Sequence, residues 1–67
     1  MTPIKRVSKR LKQLRTERAL SQEALATKAK ISRGYLARLE AAEQDPTLGV
    51  LERLAKALGV PVTALLE

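Results

Sequence analysis

The 67-residue chain contains no cysteine, histidine, tryptophan or phenylalanine, and Tyr35 is its single aromatic residue. The absence of cysteine excludes disulfides and thiolate chemistry, and the absence of histidine as well leaves only carboxylates as metal ligands. The carboxylates do not have calcium-loop spacing, so we predict no metal site and no cofactor. An enzyme is not expected, because no residues supply an acid–base pair or a nucleophile.

Long apolar runs are also missing. No run approaches the ~18–20 residues that a membrane span requires, and the basic N-terminus lacks the apolar region of a signal peptide. A basic amphipathic first helix could lie on an anionic membrane, but it has no tryptophan or phenylalanine to anchor it. We therefore expect no membrane partner and a cytoplasmic location.

Hydrophobic residues make up 45% of the chain, which is too many for a disordered segment. A chain this short buries only about 60% of its unfolded surface, so we expect one small domain over residues 1–67. With one aromatic residue, the core must consist of leucine, alanine, valine and isoleucine, which favours packed helices over a sheet. The predicted fold class is all-α.

Positive charge is concentrated in the first half of the chain. The net charge is +6 overall, with +9 in residues 1–38 and −3 in residues 39–67. This asymmetry indicates a polyanionic partner such as nucleic acid. The alternative is a charged N-terminal helix that is simply solvated. RNA is less well matched than DNA, because the aromatic residues that stack on RNA bases are missing.

Apolar spacing and capping residues predict a series of helices. The first covers about residues 3–18, with an apolar stripe of Ile4, Val7, Leu11 and Leu14. Ser21 and Ser32 are suitable N-caps for two short helices that form one unit over residues 21–40. Thr47 is a suitable N-cap for a fourth helix, which is predicted to end at Gly59 and has the apolar positions Leu48, Leu51, Leu54, Ala55 and Leu58. A short fifth helix is predicted up to about residue 66.

The third predicted helix, about residues 32–41, has two different faces when it is wound at 100° per residue. Leu36 and Leu39 lie on one side. The opposite side consists of Arg33, Gly34, Ala37, Arg38 and Ala41. Two arginines separated by very small residues suit insertion into a groove, and arginine bidentate to guanine is the commonest specific base contact.

The sequence resembles the lambda-repressor-like, Cro/CI-type helix-turn-helix family. The residues that carry the resemblance are Leu11, Leu14 and Arg15, then LSQEALA at 20–26, ISRGYLARLE at 31–40, DPTL at 45–48, LERLAKALGV at 51–60 and LL at 65–66. The resemblance implies a compact five-helix domain that regulates transcription as a DNA-binding dimer. It also implies a bacterial or phage-type protein that is associated with the nucleoid.

The resemblance also implies roles for individual residues. The base-reading positions would be Arg33, Gly34, Ala37 and Arg38. Gln22 would bind phosphate, and the further predicted phosphate-binding positions are the basic Lys28 and Lys30 together with Ser32 and Tyr35. Arg15 and Glu40 match an ion pair between the first and third helices. Val62, Leu65 and Leu66 form an apolar tail that must meet either the core or a second chain, and we predict a dimer interface there.

Several positions depart from the family pattern. Gly34 has no side chain where many relatives read a base, Lys30 replaces a turn glycine, and Ala41-Ala42 replaces another. Glu43 and Asp45 are acidic where relatives often contact phosphates. The predicted function is sequence-specific transcriptional regulation by a homodimer on a near-palindromic duplex. The alternative is a protein-interaction module, such as an antitoxin or a coactivator with the same fold, which would have a protein partner.

Overall fold

The structure is a computed structural model that describes the backbone of residues 3–67 and the side chains of residues 5–67. Within this range the chain forms five helices and no strand: α1 Pro3–Glu17, α2 Gln22–Ala29, α3 Arg33–Glu40, α4 Leu48–Leu58 and α5 Thr63–Leu66. The predicted all-α, five-helix fold is confirmed. The prediction for the Ile4 side chain lies outside the described residues.

Hydroxyl side chains begin three of the helices. The Ser21 hydroxyl accepts a hydrogen bond from the Ala24 N–H at 3.0 Å. Ser32 accepts from the Tyr35 N–H at 3.0 Å, and Thr47 accepts from the Val50 N–H at 3.1 Å. Each hydroxyl satisfies a backbone donor that has no partner within the helix, which stabilises the helix by about 1 kcal/mol. All three predicted caps are confirmed.

Residues with a left-handed backbone conformation follow α2, α3 and α4. Lys30 has φ 60° directly after α2, Ala42 has φ 60° shortly after α3, and Gly59 has φ 73° after α4. The Glu43 N–H then closes the end of α3 by donating to the Arg38 carbonyl at 2.9 Å. The third helix therefore ends at Glu40, one residue earlier than predicted. A left-handed conformation costs an L-residue other than glycine about 1–2 kcal/mol.

Leucine forms most of the core. Its fully buried members are Leu11, Leu25, Leu36, Leu39, Leu54 and Leu65. α1 packs on α3 and α5, while α2 packs on α3 and α4. Leu48 was predicted on the apolar stripe of α4 but is 66% exposed, because it lies in the first turn, beyond the edge of the core, where Val50 and Leu51 are buried instead.

Polar side chains of α1, and of Arg18 just after it, connect this helix to other elements. The buried Ser8 hydroxyl donates to the Leu39 carbonyl at 2.6 Å. Arg10 Nε donates to the Ala64 carbonyl at 2.9 Å, and Arg18 Nε donates to the last carbonyl of α4, that of Leu58, at 2.7 Å. Some of the cations in and just after α1 thus bind acceptors within the domain. None of the helices in residues 3–67 has the length and apolar character needed to cross a membrane.

Candidate nucleic-acid interface

The outward face of α3 carries Arg33, Gly34 and Arg38, all exposed, with half-buried Ala37 between them. Leu36 is fully buried on the opposite face. The structure therefore separates the two faces as the helical periodicity predicted. A helix whose exposed side consists of two long cations and very small residues can approach another surface closely.

Arg38 is held in place by a residue of the following loop. Its Nε donates to Gln44 Oε1 at 3.0 Å. A Cβ atom placed on Gly34 would lie 3.7 Å from Arg38 Nη1, so the guanidinium lies close above this glycine. Among the described residues, Arg38 Nη1 and Nη2 make no hydrogen bond. Their N–H groups are therefore available for an acceptor outside the chain.

Arg33 is the first residue of α3 and directly follows the Ser32 cap. It is exposed and has no hydrogen-bond or ion-pair partner within residues 3–67. Arg33 is therefore free to turn, whereas Arg38 is fixed by Gln44. Sequence reasoning did not find Gln44, because a glutamine in a polar loop has no pattern that distinguishes it from a solvated residue.

A buried ion pair fixes α3 to α1. Arg15 Nε lies 2.6 Å from Glu40 Oε2, and Arg15 Nη2 donates to Glu40 Oε1 at 3.0 Å. The two side chains are 12% and 4% exposed. Arg15 Nη1 also donates to the Leu20 carbonyl at 2.8 Å. The predicted pair is confirmed, and its two parallel bonds form the strongest arrangement available to arginine and a carboxylate.

Gln22 joins the same cluster from the start of α2. Its Nε2 donates to Glu40 Oε1 at 3.1 Å. An amide nitrogen carries two hydrogens, so the second is available to a phosphate oxygen. The Arg15–Glu40 pair thereby orients a residue that the family resemblance assigns to phosphate binding.

The other predicted phosphate-binding residues lie in different environments. Ser32 is exposed, and Tyr35 is half-buried with its ring against the core. Lys28 and Lys30 are exposed at the other end of α2, where they line a cleft together with Arg53 and Lys56 of α4. The structure therefore groups these two lysines with cations that the sequence analysis did not single out.

The predicted dimer residues do not share one environment. Leu65 is fully buried within the single chain, because α5 packs on α1, so its assignment to a dimer interface was wrong. Leu66 is 50% exposed, and Val62 is half-buried against the core. Of the three residues, Leu66 is the one whose side chain is open to a second chain.

These features define a small helical domain with an outward-facing pair of arginines on the second helix of a helix-turn-helix unit. A helix-turn-helix family model matches residues 11–65. The chain belongs to this helix-turn-helix family. Its fold and its relatives are those of DNA-binding regulators and not of enzymes.

Among its relatives, the chain is 48% identical over 59 residues to the immunity repressor protein of Bacillus phage phi105, covering 88% of this chain and 41% of that protein. It is 40% identical over 62 residues to the transcriptional regulator DdrOP3 of Deinococcus deserti, and the match covers 92% of this chain and 48% of that protein. The chain thus spans less than half the length of either relative.

Solved structures confirm the fold. The restriction-modification controller protein C.AhdI from Aeromonas hydrophila superposes with a TM-score of 0.91 at 32% identity, covering 92% of this chain and 94% of that one. The master regulator for biofilm formation SinR, solved in complex with DNA, superposes with a TM-score of 0.86 at 35% identity, covering 91% and 98%.

Proposed function

We propose that this domain is a sequence-specific DNA-binding transcriptional regulator that inserts α3 into the major groove. The observation that carries the proposal is the exposed face of α3, where Arg33 and Arg38 flank Gly34. Support comes from the relatives, which include a phage immunity repressor and a structural neighbour solved with DNA. Acting on DNA in this way would place the protein at the nucleoid.

Arg38 would read a base with its two Nη groups. Its Nε is occupied by Gln44, so the Nη1 and Nη2 hydrogens are left to donate to O6 and N7 of one guanine. Gln44 would then act as a positioning residue that narrows the directions in which Arg38 can reach. Arg33 would read a second base from the first turn, while Gly34 and Ala37 allow the helix to approach the base edges.

Contacts to the DNA backbone would fix the register of α3. Gln22 would donate its free amide hydrogen to a phosphate, and Ser32 and Tyr35 would contribute hydroxyl donors. Lys28 and Lys30, which were also predicted to bind phosphate, lie at the opposite end of α2 and would not reach the phosphate that Gln22 contacts. Neutralisation of several phosphates makes binding fall steeply as the salt concentration rises.

Two copies would bind together. The domain extends only 28 Å along its longest axis, and successive major-groove sites on one face of the duplex are about 34–36 Å apart. One chain, with one α3, therefore cannot occupy both sites. A homodimer would place two α3 helices on a near-palindromic sequence.

Selection of binding sites from random duplexes at physiological salt tests the proposal. We expect a near-palindromic consensus in which Arg33→Ala and Arg38→Ala each relax the preference at one position per half-site, with a loss of about 1–3 kcal/mol. Lys12→Ala, which removes an exposed cation of α1, should leave the consensus unchanged. Enrichment no better than that of random DNA would refute the proposal.

A further inference from the structure

A cleft of about 410 Å³ lies at the C-terminal end of α2, where this helix packs on α4. We refer to it as the α2–α4 cleft. Its lining residues are Lys28, Ala29, Lys30, Arg53, Lys56 and Ala57. The lining thus combines four cations with two alanines and contains no carboxylate. Converging charges of one sign attract a ligand of the opposite sign.

The four cleft cations have no acceptor in the part of the chain that the structure describes. Several arginines elsewhere in the chain do have acceptors. Arg10 and Arg18 donate to backbone carbonyls, and Arg15 is paired with Glu40. The donors of the cleft are therefore all available to a ligand, unlike those of Arg10, Arg15 and Arg18 that bind acceptors within the domain.

The surrounding helices help to hold these charges together. Lys28 lies in the last turn of α2 and Lys56 in the last turn of α4. The C-terminal end of a helix carries a partial negative charge that stabilises nearby cations. The cluster can therefore persist without a bound anion. Between the cations, the apolar floor of the cleft is formed by Ala57, which is half-buried, and Ala29, which is 1% exposed.

We propose that the α2–α4 cleft binds a small ligand with two or more phosphate charges on an apolar ring or sugar, the chemistry of a nucleoside polyphosphate. Lysine binds phosphate as a point charge, and the fork of Arg53 can bind two phosphate oxygens at once. The ring would cover the alanine floor. The volume of the cleft lies within the range of small-molecule sites.

A DNA backbone presents the same phosphate chemistry, so the two sources must be distinguished. Gln22, the candidate phosphate contact beside α3, lies at the opposite end of α2, roughly 12 Å from Lys30 at 1.5 Å per residue. Arg53 and Lys56 belong to α4 and not to the helix-turn-helix unit. This arrangement favours a free ligand that binds separately from the duplex.

Calorimetric titration of the 67-residue chain with ATP, and separately with tripolyphosphate, tests the proposal at low ionic strength. We expect one site, with ATP binding more tightly than tripolyphosphate because of the alanine floor. Arg53→Gln and Lys56→Gln should each lower the affinity for ATP by about tenfold. Lys12→Gln removes an exposed cation outside the cleft and should leave the affinity within about twofold. Far-UV circular dichroism checks that all variants are folded.

A second arm adds ATP to the chain bound to a selected duplex. Simultaneous binding with unchanged duplex affinity supports a separate site. Competition between ATP and the duplex, together with weaker duplex binding by Arg53→Gln, would assign the cations to the DNA backbone and overturn the proposal. The absence of binding heat, an equal loss in Lys12→Gln, or equal affinities for ATP and tripolyphosphate would also contradict it.

Discussion

At the scale of single residues, Arg38 and Arg33 differ in freedom although both lie on one exposed helix face. Arg38 has its Nε on Gln44 and its Nη1 close above Gly34, whereas Arg33 has no partner in the described chain. Fixing a long side chain before binding removes part of the rotamer entropy that would otherwise be lost at the interface. Arg38 is thus better preorganised than Arg33 for the base contact proposed above.

Gln44→Ala should reduce discrimination at the base that Arg38 reads. An exposed hydrogen bond of this kind contributes about 0.5–1 kcal/mol, so we expect the preference for guanine at that position to fall by roughly two- to fivefold. Preference at the Arg33 position and the melting temperature should not change. Site selection with the variant provides the measurement.

Gln13→Ala is the matched control, because Gln13 also accepts an exposed hydrogen bond from an arginine, Arg10, at 3.2 Å. It should leave every base preference unchanged. A uniform loss of affinity for all sequences in Gln44→Ala would show that Gln44 contacts the backbone instead of positioning Arg38.

Gly34→Ala should raise the stability of the domain and lower its affinity for DNA. The added Cβ would lie 3.7 Å from Arg38 Nη1, an ordinary contact, so the free protein can accommodate it. Alanine is favoured over glycine in a helix by about 1 kcal/mol, and the variant should be more stable by up to that amount in urea unfolding. DNA affinity should nevertheless fall, because the methyl group occupies the space left for the groove.

Gly49→Ala gives a reference for this comparison. Gly49 lies in the first turn of α4, and its added Cβ would meet Thr47 Oγ1 at 3.9 Å. A similar gain in stability without altered base preference is expected. If Gly34→Ala bound DNA as tightly as the unmodified chain, Gly34 would have no part in the approach to the groove.

At the scale of the helices, the Arg15–Glu40 pair connects α1 to the end of α3. Arg15→Met should destabilise the domain by about 3–5 kcal/mol, because it leaves the Glu40 carboxylate, 4% exposed, without its partner. Such a loss approaches the whole stability of many small domains. Urea unfolding followed by circular dichroism measures it.

The double variant Arg15→Met with Glu40→Leu should recover much of this stability, since no unpaired charge stays buried. Glu67→Gln provides the exposed comparison, because the Arg10–Glu67 pair is 3.7 Å long and Glu67 is 68% exposed. Its effect should stay below about 1 kcal/mol. A loss that small in Arg15→Met would contradict the buried role of the pair.

The turn that ends α3 gives another prediction. Ala42 has φ 60°, a conformation that glycine adopts without the steric penalty of a Cβ atom. Ala42→Gly should therefore stabilise the domain by about 1 kcal/mol. The neighbouring Ala41 has φ −84°, so Ala41→Gly should not stabilise it. Denaturant midpoints of the two variants distinguish these outcomes.

The positions of the helices could be predicted from local rules, whereas the hydrogen bonds between elements could not. Ser21, Ser32 and Thr47 were identifiable as caps because a cap needs only a hydroxyl before an apolar repeat. The Arg15–Glu40 pair was expected only through the family resemblance. The buried Ser8 hydroxyl donates to the Leu39 carbonyl. The sequence offered one weak indication of its burial, because Ser8 lies three residues before Leu11, which belongs to the apolar stripe.

The errors in the site have a related cause. Leu65 and Leu66 are chemically identical neighbours, yet one is fully buried and the other is half exposed. Their difference depends on how α5 rotates against α1, which periodicity cannot define over a four-residue helix. The α2–α4 cleft also depends on tertiary packing. It was missed because its cations come from two regions that are distant in the sequence.

At the scale of the whole molecule, size and charge point to assembly on DNA. The domain is 28 Å long and contains one α3 helix, and its positive charge is concentrated in residues 1–38, which include most of the helix-turn-helix unit. Two such domains would have to meet through a surface outside α3. Leu66 and Leu48 are the large hydrophobic side chains exposed within residues 5–67.

Leu66→Asp should therefore weaken the proposed dimer. Leu66 is half exposed, so the charge can be solvated in the single chain but would be buried without a partner in an interface. We expect the sedimentation mass at micromolar concentration to fall to that of one chain, and affinity for a palindromic duplex to approach that for a half-site. Leu65→Asp should instead unfold the domain, because Leu65 is fully buried.

Leu48→Asp completes the comparison, because Leu48 is 66% exposed and lies in the first turn of another helix, α4. It should leave the sedimentation mass and the preference for palindromes unchanged. If Leu48→Asp dissociated the dimer and Leu66→Asp did not, the two copies would meet at the start of α4 and not at α5. The folded fraction of each variant, read from circular dichroism, ensures that a change in mass reflects dissociation and not unfolding.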